Sequence, residues 1–209
     1  MTETMAMTTR SKNLLILALM VLPFILTFAY VRLFVDLDDM ERNNKGNLII
    51  PHVDFSDLKP RLPDGGVFDV GTLDGKWTML YLSNGECDTA CKNGLYYLIM
   101  QLRKSLDTDT PRVRRVIATT RTPTPELREF LDDKVAGMEE LLVDSVALEH
   151  ALLPFMKGAG SAVDHIFLVS PDGKIFIWYP THEDMQDVLL EADRIRADLK
   201  RTLKGSLIG

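Results

Sequence analysis

Trp77-Thr78-Met79-Leu80-Tyr81-Leu82-Ser83, continuing as Asn84-Gly85-Glu86-Cys87-Asp88-Thr89-Ala90-Cys91, is the stretch on which the reading of the fold turns. Trp77 to Ser83 is a short apolar run bounded by Asp74-Gly75-Lys76 and Asn84-Gly85, the pattern of a buried strand. From Cys87 to Leu106 the residues Leu95, Leu98, Ile99, Leu102 and Leu106 recur at helical spacing. The chain has two cysteines, and both fall where that strand hands over to that helix.

Working toward the C-terminus, Arg112 to Thr119 supplies a second strand and Thr124 to Val135 a second helix opened by Pro125. Leu141 to Val143 is a short strand or extended link, and Val146 to Phe155 a short helix broken by Pro154. Ile166–Ser170 and Ile175–Tyr179 flank Pro171-Asp172-Gly173-Lys174 and form a hairpin. The last helix runs from Glu183 to Leu203, with Met185, Val188, Leu189, Ala192, Ile195, Leu199 and Leu203 on one stripe. Thr181 and Asp184 resemble a capping box with Asp in place of Glu. Crossover rules make the first two strands parallel neighbours and let the hairpin extend the sheet antiparallel. This is the thioredoxin-like α/β arrangement, a central mixed sheet flanked by helices. In such a fold the site lies where the first strand ends, and the cysteines are there.

Working toward the N-terminus, Leu14 to Val31 contains no charged residue. A helix needs roughly 20 residues to cross a hydrocarbon core, so residues 13–35 read as a single transmembrane helix. Arg10 and Lys12 precede it, and Asp36, Asp38, Asp39 and Glu41 follow, which puts residues 1–12 in the cytoplasm. The stretch is too long for a signal-peptide core, and no Ala-x-Ala site follows it. Residues 36–65, with Pro51, Pro60 and Pro63, read as a periplasmic stalk whose tetrad Leu48-Ile49-Ile50-Pro51 docks on the domain. Residues 66–209 are then the thioredoxin-like domain, and the location is a bacterial inner membrane.

Composition excludes several classes. The 209 residues carry a net charge of −6, which argues against nucleic-acid binding. Two cysteines exclude a multi-disulfide scaffold and a four-cysteine zinc module. A hydrophobic fraction of 46% supports a core and excludes a wholly disordered chain. No paired carboxylates, Ser-His-Asp set or phosphate loop stands out, so hydrolase and kinase readings have no support.

Cys87 and Cys91 lie at i and i+4, on one face of a helix. They can bridge as a redox disulfide or bind one soft ion together. The positive end of the helix dipole favours their thiolates, and thiolate is both the nucleophile of disulfide exchange and a ligand for copper(I). The alternative is an inert structural pair, although so short a loop gains little from a crosslink. A third donor would matter for a metal, and His165 opens the hairpin strand. Taken alone, such a histidine is more often structural or exposed. His52, His150 and His182 receive no role.

The segment Gly85-Glu86-Cys87-Asp88-Thr89-Ala90-Cys91, with Val163-Asp164-His165-Ile166 running into Ser170-Pro171-Asp172-Gly173, resembles the Sco/SenC family of membrane-anchored, thioredoxin-like proteins of cytochrome c oxidase assembly. The resemblance extends from about Leu73 to the C-terminus. It implies that Cys87, Cys91 and His165 ligate copper. It also implies delivery of copper to oxidase subunit II or its assembly factors, or reduction of that site's cysteines. The chain departs from the pattern at Lys92, where the family has Pro, at Ile166, where it has a small polar residue, and in a shorter stretch between Cys91 and His165. Three readings follow: a copper chaperone using Cys87, Cys91 and His165, a thiol–disulfide oxidoreductase using the cysteines alone, and a catalytically silent scaffold.

Overall fold

The computed structural model describes residues 9–34, 44–73 and 75–205, in two compact units divided after Asn43. The expected cytoplasmic tail up to residue 8, residue 35 of the expected span and the expected stalk over 36–43 lie outside the described residues. The first unit contains helix α1, Thr9–Phe34. Its side chains are described over 16–30 and at Arg32, and they are apolar and exposed almost throughout. Among the described residues, no helix is long and apolar enough to cross a membrane.

The second unit is built on a six-stranded mixed sheet. In chain order its elements are β1 (Asn47–Asp54), β2 (Trp77–Ser83), α2 (Thr89–Asn93), α3 (Leu102–Lys104), β3 (Val113–Thr119), α4 (Pro125–Lys134), β4 (Glu139–Leu142), α5 (Ser145–Leu152), β5 (His165–Val169), β6 (Lys174–Pro180) and α6 (Met185–Gly205). The strand order is β1-β6-β5-β2-β3-β4. Strands β2, β3 and β4 run parallel, while β5 is antiparallel to β2, β6 to β5 and β1 to β6. Strand β2 is buried on both faces, which is why it reads as a continuous apolar run and not as an alternation.

Period-two alternation sorts the side chains onto two faces. Met79, Tyr81, Ile166, Leu168 and Tyr179 pack on one face with Leu95 and Leu98 of the cysteine-bearing helix and with Ile195 of α6. Leu80, Leu82, Phe167, Val169 and Trp178 pack on the other, against Leu148 and Leu152 of α5. The helix ends follow local chemistry. Thr124 caps α4 by accepting from the Leu127 N–H, with Pro125 in the first turn, and Asp144 caps α5 by accepting from the Ala147 N–H.

Three expectations need correction. The segment read as a stalk contributes β1 from Asn47, an edge strand. Its register shifts between Leu48 and Val53 and Pro51 lies in that stretch, so its alternation is broken. The expected box at the start of α6 does not form. Asp184 alone accepts the Gln186 and Asp187 N–H groups, while the Thr181 hydroxyl donates to the Asp164 carbonyl. On α6, Met185 and Leu189 are exposed, and the buried face includes Glu191 and Asp198. Both carboxylates are paired there: Glu191 with His182 and Arg194, Asp198 with the Tyr179 hydroxyl and the Lys45 and Gly46 N–H groups.

Candidate redox site

The strand-to-helix junction after β2 is held by a compact set of hydrogen bonds. The Ser83 hydroxyl donates to the Glu86 carbonyl and accepts from the Gly85 N–H, each at 3.0 Å. Gly85 has φ +95°, and a Cβ there would meet the Arg121 and Thr122 carbonyl oxygens at 3.1 Å. Only glycine suits that turn. Asp88 caps the helix, its Oδ1 accepting from the Cys91 N–H at 2.8 Å.

Beyond α2 the helix widens into a π-helical stretch, Gly94–Gln101, before tightening into α3. Gly94 lets it approach the sheet closely, since a Cβ would lie 2.7 Å from Thr181 Cγ2 and 3.3 Å from the Tyr81 ring. The expected helix from Cys87 to Leu106 is therefore present, wider than an α-helix in its middle.

Cys87 and Cys91 form a disulfide, with Cα atoms 5.1 Å apart. Cys91 is 1% exposed and packs against the face that carries Tyr81, whereas Cys87 is half-buried. Only the Cys87 sulfur therefore lies on the solvent side, where an incoming thiolate can reach it.

The loop before β5 places its two polar residues differently. Asp164 has φ +62°, and three bonds fix it: its N–H donates to the Leu82 carbonyl at 2.7 Å, its carbonyl accepts from Thr181, and its Oδ1 accepts from the Tyr81 hydroxyl at 3.3 Å. Burial, then the nearby Asp88 and Glu86 carboxylates, push the Asp164 carboxyl up from its ordinary range. Burial, then Asp164 and Asp88, raise the Tyr81 hydroxyl well above its usual value. Asp164 thus belongs to the neighbourhood of the cysteine loop.

His165 belongs to the opposite face. Its ring meets Trp178 edge-on at a centroid distance of 4.9 Å, and its Nδ1 donates to the Val163 carbonyl at 2.7 Å. The structure brings Cys87 and Cys91 together but does not bring His165 to them. Among the described residues, no group of three or more His, Cys, Asp or Glu side chains is placed to hold a metal ion.

Burial holds His165 below its ordinary value of 6.5, outweighing the Val163 carbonyl and Glu149, which act the other way. A histidine buried neutral binds fewer protons than the same residue unfolded, so its stability contribution is present above pH 6.5 and lost as pH falls. The melting midpoint should therefore fall on acidification from pH 7 to pH 5, and His165→Gln should flatten part of that fall. An unchanged slope in the variant would mean that His165 is not buried neutral.

Sequence reasoning missed Asp164 and Tyr81. The available signal was the position of Asp164, a polar residue directly before the hairpin strand and next to His165.

Comparison with known proteins bears on the fold. A search of curated proteins finds no match. Among solved structures, copper-bound yeast Sco1 is 15% identical, with a TM-score of 0.50, over 79% of this chain and 96% of that one. Apo Sco1 from Thermus thermophilus is 16% identical, with a TM-score of 0.51, over 78% and 99%. The thioredoxin domain of a Bacteroides vulgatus thiol-disulfide oxidoreductase is 13% identical, with a TM-score of 0.47, over 75% and 96%. At these identities the likeness to the two Sco1 structures shows the fold alone. Residues 77–206 match the family described as transmembrane-like, thioredoxin-like, C-terminal domain, so they run from β2 to the end of α6, and the chain belongs to that family.

Proposed function

We propose that this chain is a membrane-anchored thiol-redox factor that works through Cys87 and Cys91 on the cysteines of a copper-site protein, cytochrome c oxidase subunit II or one of its assembly factors. The observation that carries the redox part is the disulfide joining a half-buried Cys87 to a buried Cys91 at a helix start. In the exchange, a partner thiolate attacks the Cys87 sulfur and the Cys87–Cys91 bond breaks. The electron pair leaves on the Cys91 sulfur, which takes a proton from water. A second partner thiol then attacks the mixed disulfide and releases Cys87, leaving the partner oxidised and the pair reduced. Run backward, the same steps reduce a partner disulfide. The oxidase assignment rests on the resemblance of Gly85–Cys91 and Val163–Gly173. Membrane anchoring rests on α1, where Leu19, Phe24 and Phe28 are all more than 70% exposed; a helix apolar on all sides needs a non-aqueous surrounding.

Copper as cargo is the second reading, and the reduced pair supports it in part, since two thiolates suit copper(I). The three-ligand set with His165 does not fit, because the imidazole packs on Trp178 across the sheet. The residue that faces the cysteine loop is Asp164, a hard oxygen donor ill suited to copper(I).

Purified full-length protein in detergent tests both readings. Before extraction it should stay with membranes through a carbonate wash, and once purified its pair should cycle between disulfide and dithiol in dithiothreitol buffers. In competition with a chromophoric chelator, reduced wild type and His165→Ala should bind copper(I) alike. Weaker binding by the variant would make His165 a ligand and restore the three-ligand chaperone. Failure of the pair to cycle would leave the scaffold reading.

A further inference from the structure

The edge of the sheet that carries the disulfide loop also carries a small basic pocket. Ser83, Thr119 and Leu142 stand side by side on β2, β3 and β4, and Arg61 continues the row by exchanging two backbone hydrogen bonds with Leu142, each 2.8 Å. Lys59 is held two residues earlier at φ +51°, its N–H bonded to the Ser56 carbonyl. The pocket measures about 300 Å³ and is lined by Lys59, Arg61, Thr120, Leu142, Val143, Asp144 and Ser145.

Its charged groups are Lys59, Arg61 and Asp144. Asp144 is engaged by the Ala147 N–H at 2.8 Å, and among the described residues neither Lys59 nor Arg61 takes part in an ion pair. Lys59 and Arg61 outnumber Asp144 in the cavity, and in a chain of net charge −6 the net positive charge left there is complementary to a carboxylate.

We infer that this pocket binds an acidic side chain of the redox partner and so fixes the register in which the partner's cysteine meets Cys87. The inference rests on the thiol-exchange reading above. Strands in a sheet lie about 4.8 Å apart, so three steps from Ser83 to Arg61 span about 14 Å. An extended peptide covers that span in four or five residues at about 3.3 Å each. The partner is therefore an extended peptide segment lying along the strand ends, with Asp or Glu four or five residues from the residue it places over Ser83, at the root of the cysteine loop. The pocket contributes specificity and leaves the chemistry at sulfur unchanged.

The test uses full-length oxidised protein and synthetic dithiol peptides identical except for Glu, Gln or Lys five residues from the first cysteine. The Glu peptide should reduce the Cys87–Cys91 disulfide about fivefold faster than the Gln peptide, in line with two exposed ion pairs, and the Lys peptide should be slowest. The advantage should vanish in high salt and in Lys59→Gln/Arg61→Gln, while reduction by dithiothreitol and the melting midpoint stay unchanged. Equal rates for the Glu and Gln peptides, or a double variant that keeps the preference, would overturn the pocket. Peptides with Ser in place of Cys read the same discrimination as binding alone. If dithiothreitol does not reduce the pair, the redox reading fails, and the binding assay still decides whether the pocket selects acid.

Discussion

Cys87→Ser abolishes disulfide exchange, with a residual rate no higher than buffer, whereas Cys91→Ser leaves a protein that accumulates a covalent mixed disulfide with its partner. The asymmetry follows from exposure. Cys87 presents the sulfur that solvent reaches, and Cys91, 1% exposed, is the one that resolves the mixed species by attacking from inside. Without Cys91 the mixed disulfide has no internal exit and persists. Non-reducing electrophoresis after incubation with an excess of a disulfide-bonded peptide, whose bond the Cys87 thiolate breaks to form the mixed disulfide and a peptide thiol, reads both outcomes. Trapping by Cys87→Ser in place of Cys91→Ser would reverse the assignment of attacking and resolving sulfur. Changing both cysteines to serine should leave the cooperative unfolding transition in place, since the core beside them is built from Tyr81, Leu95, Leu98 and their neighbours.

Asp198→Ala should lower the unfolding free energy by about 3 kcal/mol, the scale of leaving buried donors and a buried network unpartnered. Asp198 is 3% exposed and accepts from the Tyr179 hydroxyl at 2.9 Å and from the Lys45 and Gly46 N–H groups at 2.8–2.9 Å. It joins α6 to β6 and to the backbone just before β1. Its loss should also release that backbone, so amide exchange at Lys45 and Gly46 should accelerate together with the drop in stability. Denaturant unfolding measures the first effect and hydrogen exchange the second. A stability change within about 0.5 kcal/mol, the range of ordinary surface substitutions, would mean that the network contributes no more than a surface contact.

The order of elements from β2 to α6 was legible because each element has a strong local signature: a continuous apolar run for β2, Pro125 opening α4, and Pro171–Lys174 between β5 and β6. Strand β1 was not legible, because its register shifts between Leu48 and Val53 and Pro51 interrupts the apolar pattern. Met185 and Leu189 were expected in the core because they are apolar, yet α6 turns Glu191 and Asp198 inward instead. Glu191 is matched by His182 and Arg194, while the partners of Asp198 come from further off in the chain, Lys45, Gly46 and Tyr179, which helical periodicity cannot report. At the site, Cys87 and Cys91 were found by spacing. His165 was named because it opens a strand, but a residue's face depends on strand parity and on what holds the preceding loop. The bonds from Asp164 to Leu82, Thr181 and Tyr81 join residues far apart in sequence.

Those bonds make chemical identity at this site a matter of phase. Asp164 and His165 are neighbours in the chain, and the latch on Asp164 together with the pairing of β5 sets which of them faces the cysteine loop. Leu82, Thr181 and Tyr81 hold the carboxylate on one side while β5 holds the imidazole against Trp178 on the other, so the choice is made by residues outside the cysteine pair.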